Sequence, residues 1–282
     1  MEFLQPGDWR EALELKAAHP EALPLWGGTD VMVDLNFGRE RPEAILDLTR
    51  VRELAEWEQS DGTLRVGAGV SYTRAIAELG DALPGLAAAS RTVGSPQIRN
   101  RGTIGGNLGS SSPAGDALPP LYASSAEIEL ASASGTRRVP IAEFITGPKR
   151  NTLEPGELIA AFHIRPARGP QQFSKIGTRN AMVIAVCSFA LDLDPQARTV
   201  GTCIGSAAPT PVRAPEAEEF AAHHLDWNGG GDLEREVATR FGELVAQAAS
   251  PIDDVRGSSA YRRHALSVLA RRTLTWAWSE HV

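Results

Sequence analysis

Gln97-Ile98-Arg99-Asn100-Arg101-Gly102-Thr103-Ile104-Gly105-Gly106-Asn107-Leu108, followed by Ser112-Pro113-Ala114-Gly115-Asp116, is the stretch on which the reading of this chain turns. Between Gly94 and Gly115 six of 22 residues are glycine (Gly94, Gly102, Gly105, Gly106, Gly109 and Gly115), against 27 in 282 overall, so the window is nearly threefold enriched. Ser95, Thr103, Asn107, Ser110, Ser111 and Ser112 are interleaved with them. Glycine lets main-chain N–H groups approach an anion and take left-handed geometry at low steric cost. Successive exposed amides form an anion nest, and hydroxyls add donors. The composition points to a cradle for a diphosphate or similar anion, although it also fits an ordinary glycine–serine loop.

Upstream, Trp26-Gly27-Gly28-Thr29-Asp30 stands between two strand-like pieces, Leu23–Leu25 and Ala44–Leu48, and is followed by the apolar helix candidate Val31–Asn36. This β–tight turn–α opening is either a plain turn or a second place where helix N-terminal amides meet phosphate. Before it, Trp9 to Ala18 reads as a helix with Leu13 and Ala17 on one face. Competing nucleotide motifs fail. Gly67-Ala68-Gly69-Val70-Ser71-Tyr72 misses the last position of the dinucleotide fingerprint, and neither a Gly-Lys-Ser/Thr nor a Gly-x-Ser-x-Gly occurs.

Further strands are expected at Leu64–Ala68, Glu127–Leu130, Arg137–Val139 and Leu158–Ile164, with Ser71 capping a helix over Tyr72–Leu79. Beyond residue 171 an apolar strand, Met182–Leu193, turns at Asp194–Ala197 into a hairpin partner, Thr199–Ile204. Helices follow over Ala214–Ala222, Leu233–Ala249 and Tyr261–Trp276, the last with Tyr261, Ala265, Val268 and Leu269 on one face. Asn228-Gly229-Gly230-Gly231 is the most linker-like segment.

A net charge of −7 without a basic run argues against a nucleic-acid footprint. No stretch has the apolar length of a membrane span, and the first residues lack the pattern of a signal peptide, so a cytoplasmic location is expected. Two cysteines, Cys187 and Cys203, are too few for the four thiolates of an iron–sulfur cluster, and no His/Cys pair has metal spacing. The adjacent His223-His224 reads as a solvated loop pair, and no metal site is expected.

The two glycine loops together resemble the flavin-binding segments of the molybdenum hydroxylases, specifically the separate FAD-carrying medium subunits of the xanthine dehydrogenase and aerobic carbon monoxide dehydrogenase family. The likeness continues through Thr152-Leu153-Glu154-Pro155-Gly156-Glu157-Leu158-Ile159, Phe173-Ser174-Lys175-Ile176-Gly177-Thr178-Arg179, Ala208-Pro209-Thr210-Pro211-Val212-Arg213-Ala214 and Tyr261-Arg262-Arg263-His264. It implies an α+β chain with the vanillyl-alcohol-oxidase-like (PCMH-type) FAD-binding fold. Two α/β subdomains, 1–58 and 59–170, would clasp FAD, and residues 171–282 would form a C-terminal domain of antiparallel sheet and helices.

By the same resemblance, Trp26, Gly27, Gly28, Thr29, Asp30 and Val31, with Gly102, Thr103, Gly105, Gly106 and Asn107, would meet the diphosphate, and Gly94 and Gly115 would belong to the same loops. Gly109 and Asp116 would lie along the ribityl and adenosine part, Leu158 and Ile159 near the isoalloxazine, and Lys175 near its pyrimidine end. Trp26 departs from the small or aliphatic residue usual there. Arg99, Arg101 and Arg179 are either guides for an electron acceptor or solvated surface charges. The implied chemistry is electron transfer with no catalytic acid, base or nucleophile. A large molybdopterin subunit would oxidise the substrate, and a small iron–sulfur subunit would relay electrons. FAD would pass them to NAD+ or a quinone. Two other readings stay open: a self-sufficient FAD oxidoreductase of related fold, and a flavin-free interaction scaffold.

Overall fold

The computed structural model describes residues 1–228 and 231–281, so the Gly229-Gly230 core of the linker-like segment lies outside the described residues. The chain forms two compact units that interleave along it. Unit 1 comprises 1–74, 96–111 and 126–165, and unit 2 comprises 75–95, 112–125 and 166–282.

Unit 1 starts with β1 (Glu2–Leu4), α1 (Trp9–Ala18), β2 (Leu23–Leu25), α2 (Val31–Asn36) and β3 (Ala44–Asp47). The three strands make a parallel sheet with β3 at its centre, as β–α connections require. Asp8 caps α1 by accepting from the Glu11 amide at 2.8 Å. The buried positions on α1 are Ala12 and Lys16, whereas Ala17 is exposed, so the expected Leu13/Ala17 face is one step out of phase. What makes a lysine tolerable there is local. Its Nζ donates to the Pro20 and Ala22 carbonyls at 2.6 and 2.8 Å, which satisfies the buried ammonium. No residue of α2 is buried, although its sequence is apolar.

The second sheet of unit 1 is antiparallel, in the order β4 (Trp57–Ser60), β5 (Thr63–Gly67), β10 (Leu158–Ile164), β6 (Glu127–Ser132), β7 (Gly135–Pro140). Around it lie α5 (Pro96–Arg101), α6 (Ile104–Ser110), the short α8 (Ile141–Phe144) and the small hairpin β8 (Ile145–Gly147) with β9 (Arg150–Asn151). Helix α3 (Tyr72–Glu78) leaves the unit after Arg74, and Ser71 accepts from the Arg74 amide at its start. Leu4, Ala12, Leu46, Val51, Leu54 and Leu158 share one apolar core.

Three neighbouring strands of this sheet carry a polar clamp. Arg65 on β5 donates twice to Glu129 on β6, at 2.7 and 3.1 Å, and His163 Nε2 on β10 lies 2.5 Å from the same carboxylate. Burial opposes ionisation of Glu129, but hydrogen bonds from Arg65 and His163 outweigh it and hold the carboxyl below the usual range. A depressed folded-state pKa contributes stability that is full above the unfolded value and is lost as pH falls through the folded one. Glu129→Gln should therefore lower stability at neutral pH and flatten the acid limb of the profile. Denaturant melts from neutral to acidic pH check it, and an unchanged acid limb would refute it.

In unit 2, α4 (Pro84–Arg91), α7 (Leu118–Ala123) and α9 (Pro215–His224) each carry proline in the first turn, where its missing N–H costs nothing. An antiparallel sheet of β11 (Gln171–Ile176), β12 (Cys187–Asp194) and β13 (Thr199–Gly205) packs with α7, α9 and α11 (Ser259–His281), and α10 (Arg235–Ala248) lies between α9 and α11. The long apolar strand expected from Met182 begins only at Cys187, because residues 182–186 form an irregular loop with Met182 in the left-handed region. On α11 the buried positions include Arg262, Ala265, Leu266 and Leu269, while Tyr261 is exposed, so the expected face is rotated. Arg262 donates to the Val186 and Ser206 carbonyls and to Asp254, all at 2.6 Å, which is why an arginine can sit there. His223 and His224 lie on the last turn of α9 rather than in a loop, each with Nδ1 2.8 Å from the carbonyl four residues back. Cys187 and Cys203 are both buried, and burial pushes the Cys187 thiol up to about 12. Among the described residues no helix is long and apolar enough to cross a membrane.

Candidate cofactor site

The two glycine loops touch within unit 1. A Cβ built on Gly27 would lie 2.1 Å from the Arg101 carbonyl oxygen and 3.0 Å from Gly102 Cα, so only glycine permits the approach. Gly28 is left-handed, with φ of 72°. Among the described residues, the amides of Gly27, Gly28, Thr29, Asp30 and Val31 donate to no protein acceptor; Met32 is the first to do so, to the Gly28 carbonyl at 3.0 Å. Five consecutive unengaged N–H groups on a tight turn are the donor set an anion nest needs.

The second loop behaves differently. Its donors were expected to serve the diphosphate alongside the first, but most are used within the fold. Gly102 donates to Ile98, Ile104 to Val70, Gly105 to Ala68 and Asn107 to Thr103. The Gly106 amide caps on Thr103 Oγ1 at 2.9 Å. The sequence from Ile104 to Ser110 is therefore a helix, α6, with Thr103 as its N-cap, and not an open loop.

Glycine in α6 does two other jobs. On the inner side Gly105 lies against β5's continuation, where a Cβ would come within 2.4 Å of Ala68. On the outer side Gly106 and Gly109 are exposed, and a Cβ there would meet only Thr103 Oγ1 at 3.1 Å and Ile159 Cδ1 at 3.7 Å respectively. The helix thus presents a face without side chains, suited to a flat or extended ligand. Three glycines in seven positions cost helix propensity of about 3 kcal/mol relative to alanine.

Ile159 is half-buried at the Gly109 end of that face, while the Leu158 side chain belongs to the apolar core. Trp26 packs its indole over Gly69, where a Cβ would lie 2.7 Å from the ring. That contact gives the failed fingerprint at 67–72 a structural role. The Asp30 amide belongs to that donor set, and its carboxylate accepts from Ser110 Oγ at 2.7 Å and ties the first loop to the end of α6. Asp34, next along, pairs with Lys149 and Arg39, and hydrogen bonds from those two cations hold its carboxyl below the usual range.

Unit 2 holds the remaining expected residues: Gly94, Gly115, Asp116 and Lys175. Lys175 and Asp116 meet there as an ion pair of 2.5 Å, with side chains only 7% and 10% exposed. Asp116 was expected along the ribityl and adenosine part of FAD and Lys175 near the pyrimidine end; the structure pairs their side chains with each other. Lys175 also donates to the Thr92 carbonyl, and Thr92 Oγ1 to Asp116 Oδ2, each at 3.3 Å. Asp116 Oδ1 is buried without a partner, and burial pushes this carboxyl up against the pull of Lys175. Breaking such a pair from one side leaves an uncompensated buried charge, so Lys175→Met should cost about 3–5 kcal/mol. Adding Asp116→Asn should restore most of that loss. Urea melts of the two singles and the double test the coupling, and additive effects would dismiss it. Elsewhere in the unit Phe173 is buried, and Arg179 Nε donates back to the Ala181 and Met182 carbonyls, bracing its own loop.

Unit 1 thus brings a turn with five unengaged amides to the segment entering a glycine-faced helix, on a mixed helix-and-sheet frame, an arrangement suited to a phosphate-bearing cofactor. Residues 1–167 match the family described as the FAD binding domain in molybdopterin dehydrogenase, and residues 172–277 the CO dehydrogenase flavoprotein C-terminal domain. The chain is 32% identical over 277 residues to the xanthine dehydrogenase FAD-binding subunit of Escherichia coli O157:H7, covering 95% of this chain and 92% of that one. It is 30% identical to the glyceraldehyde dehydrogenase medium chain of Sulfolobus acidocaldarius, covering 96% and 95%. Carbon monoxide dehydrogenase from Hydrogenophaga pseudoflava superposes with a TM-score of 0.90 at 25% identity, covering 100% of this chain and 98% of that one. The chain belongs to the FAD-binding subunits of the molybdenum hydroxylase family: it is a flavoprotein oxidoreductase subunit with the PCMH-type α+β fold.

Proposed function

We propose that this chain seats FAD on the 26–31 turn and the bare face of α6, draws electrons from iron–sulfur clusters of a small partner subunit, and delivers them to NAD+ or a quinone. A large partner subunit with molybdopterin would oxidise the substrate. What carries the reading is the apposition at Gly27, which brings the turn with five unengaged amides against Arg101 and Gly102, the segment that leads into α6. FAD supplies the step from one-electron to two-electron transfer when bound. The residues of the chain do the holding. The 27–31 amides would take the diphosphate charge, Gly106 and Gly109 would let the cofactor lie along α6, and Ile159 would border its ring end. Thr103 caps α6, Gly102 gives Gly27 room and Trp26 packs on Gly69 to shape this wall, while Asp116 and Lys175 pair with each other within unit 2. A cytoplasmic complex fits a chain without a membrane-spanning helix among its described residues.

The test is direct. The purified chain, titrated with FAD, should turn yellow at one flavin per chain. After chemical reduction, mixing with NAD+ or with a soluble quinone then reads the acceptor from which of the two restores the oxidised spectrum. A chain that takes up no FAD would remove the proposal, and reoxidation by neither acceptor would remove its second half.

A further inference from the structure

We propose that Asn151 is a positioning residue for the flavin, holding the C-terminal end of α6 so that Gly109 faces Ile159 at a fixed spacing. The inference rests on the FAD reading above and concerns one side chain outside every motif that led to it. Helix α6 is short and glycine-rich, so its last turn needs restraint from outside. Asn151, on β9, provides it. Its Nδ2 donates to the Gly109 carbonyl at 3.2 Å and to Ser111 Oγ at 3.0 Å. Its Oδ1 accepts from the Leu153 amide at 3.1 Å, which starts the segment leading to Leu158 and Ile159. One amide group thus grips both walls of the ring end: the end of α6 and the strand that carries Ile159.

Neighbouring contacts make the grip directional. Lys149 N donates to the Ser111 carbonyl at 3.0 Å, and Ser111 turns left-handed with φ of 46°, ending α6 at that point. Lys149 Nζ reaches Asp34 at 3.1 Å, so the same hairpin is linked to α2, the helix that follows the amide-bearing turn. On the far side of the segment, Arg137 donates to the Thr152 carbonyl and twice to Glu157, at 2.7 to 2.8 Å, closing the turn that precedes Leu158. These contacts fix the segment itself, and the Asn151 amide hydrogens, beside the Lys149–Ser111 bond, tie it to the end of α6 at Gly109.

The discriminating variant is Asn151→Asp. It keeps the acceptor for Leu153 and hence the local turn, but removes both donors to α6 and sets an anionic oxygen against the Gly109 carbonyl. In the full chain, FAD should still bind through the 27–31 amides, with affinity reduced by no more than about tenfold, the scale of a lost hydrogen-bond pair. The visible flavin band should lose its resolved shoulders, flavin fluorescence should rise, and the midpoint potential should move toward that of free FAD. A purely turn-forming asparagine would be rescued by aspartate, so a wild-type spectrum and potential in Asn151→Asp overturns the proposal. Should that variant fail to fold, Ser111→Ala removes one of the two anchors, together with the Ser111 Oγ bond to the Leu108 carbonyl, and leaves the Asn151 bonds to Gly109 and Leu153 in place. It should give a smaller shift of the same sign, and no shift overturns the proposal equally. Failure of the wild-type chain to bind FAD would instead strike the underlying reading, and is seen before any variant is made.

Discussion

Gly27→Ala should yield a chain that neither binds FAD nor keeps the stability of unit 1. The added methyl would sit 2.1 Å from the Arg101 carbonyl oxygen, 2.7 Å from its carbon and 3.0 Å from Gly102 Cα. All three are backbone atoms, so no side chain can swing aside. Either the 26–31 turn or the segment leading into α6 must move by more than an ångström. Overpacking of this kind costs about 1–3 kcal/mol when neighbours can adjust, and here they adjust poorly. The same movement separates the amide nest from the helix face. Thermal melts and FAD titration should both change, with FAD binding lost altogether and Tm lowered by several degrees. A variant with normal flavin content would show that the loops need not touch.

Gly106→Val separates those two effects. Gly106 is exposed, and its missing side chain points to open space apart from Thr103 Oγ1 at 3.1 Å. A residue with a side chain should raise helix propensity by a few tenths of a kcal/mol over glycine, offsetting a perturbed cap. The apoprotein should therefore melt within a few degrees of wild type. Valine methyls on the bare face would nevertheless occupy the space the proposed cofactor would take, and FAD affinity should fall at least about 100-fold, or roughly 2.7 kcal/mol. Equilibrium dialysis with FAD reads this. Retained yellow colour would mean that the flavin does not lie along α6. Gly105→Val, one position away, should instead fail to fold, because its methyl groups would enter Ala68 from 2.4 Å.

Much of this could be seen in the chain itself, and the exceptions have physical causes. Segments with strong alternation or helical period, such as Leu158–Ile164, Thr199–Gly205 and Trp9–Ala18, form where expected. The glycine window marks where Gly27 meets Gly102 and where α6 shows its bare face, but composition does not reveal which amides remain available. That depends on partners such as Ala68 and Val70, which lie more than thirty residues upstream. Hence α6 looked like a loop: three glycines in seven hide a helix whose cap and tethers come from elsewhere. The rotated faces of α1 and α11 share another cause. Lys16 and Arg262 are charged, so an apolar-periodicity argument skips them, yet carbonyl groups supplied by the fold make both burials possible. Asn151 gave no signal at all, since one asparagine in a polar turn stands out only when its contacts are known. The pairing of Lys175 with Asp116, 59 residues apart, was equally invisible.

The chain passes between its two units five times, at 74/75, 95/96, 111/112, 125/126 and 165/166. On the ribosome this imposes a schedule. Strand β10, the centre of the five-stranded sheet, is among the last pieces of unit 1 to emerge, so the wall beside Gly109 cannot close until about residue 165 is free. Segments 75–95 and 112–125 must wait longer still for the C-terminal sheet they belong with. Truncated translation products should thus be unable to capture flavin early, and cofactor loading becomes a late event in the life of the polypeptide.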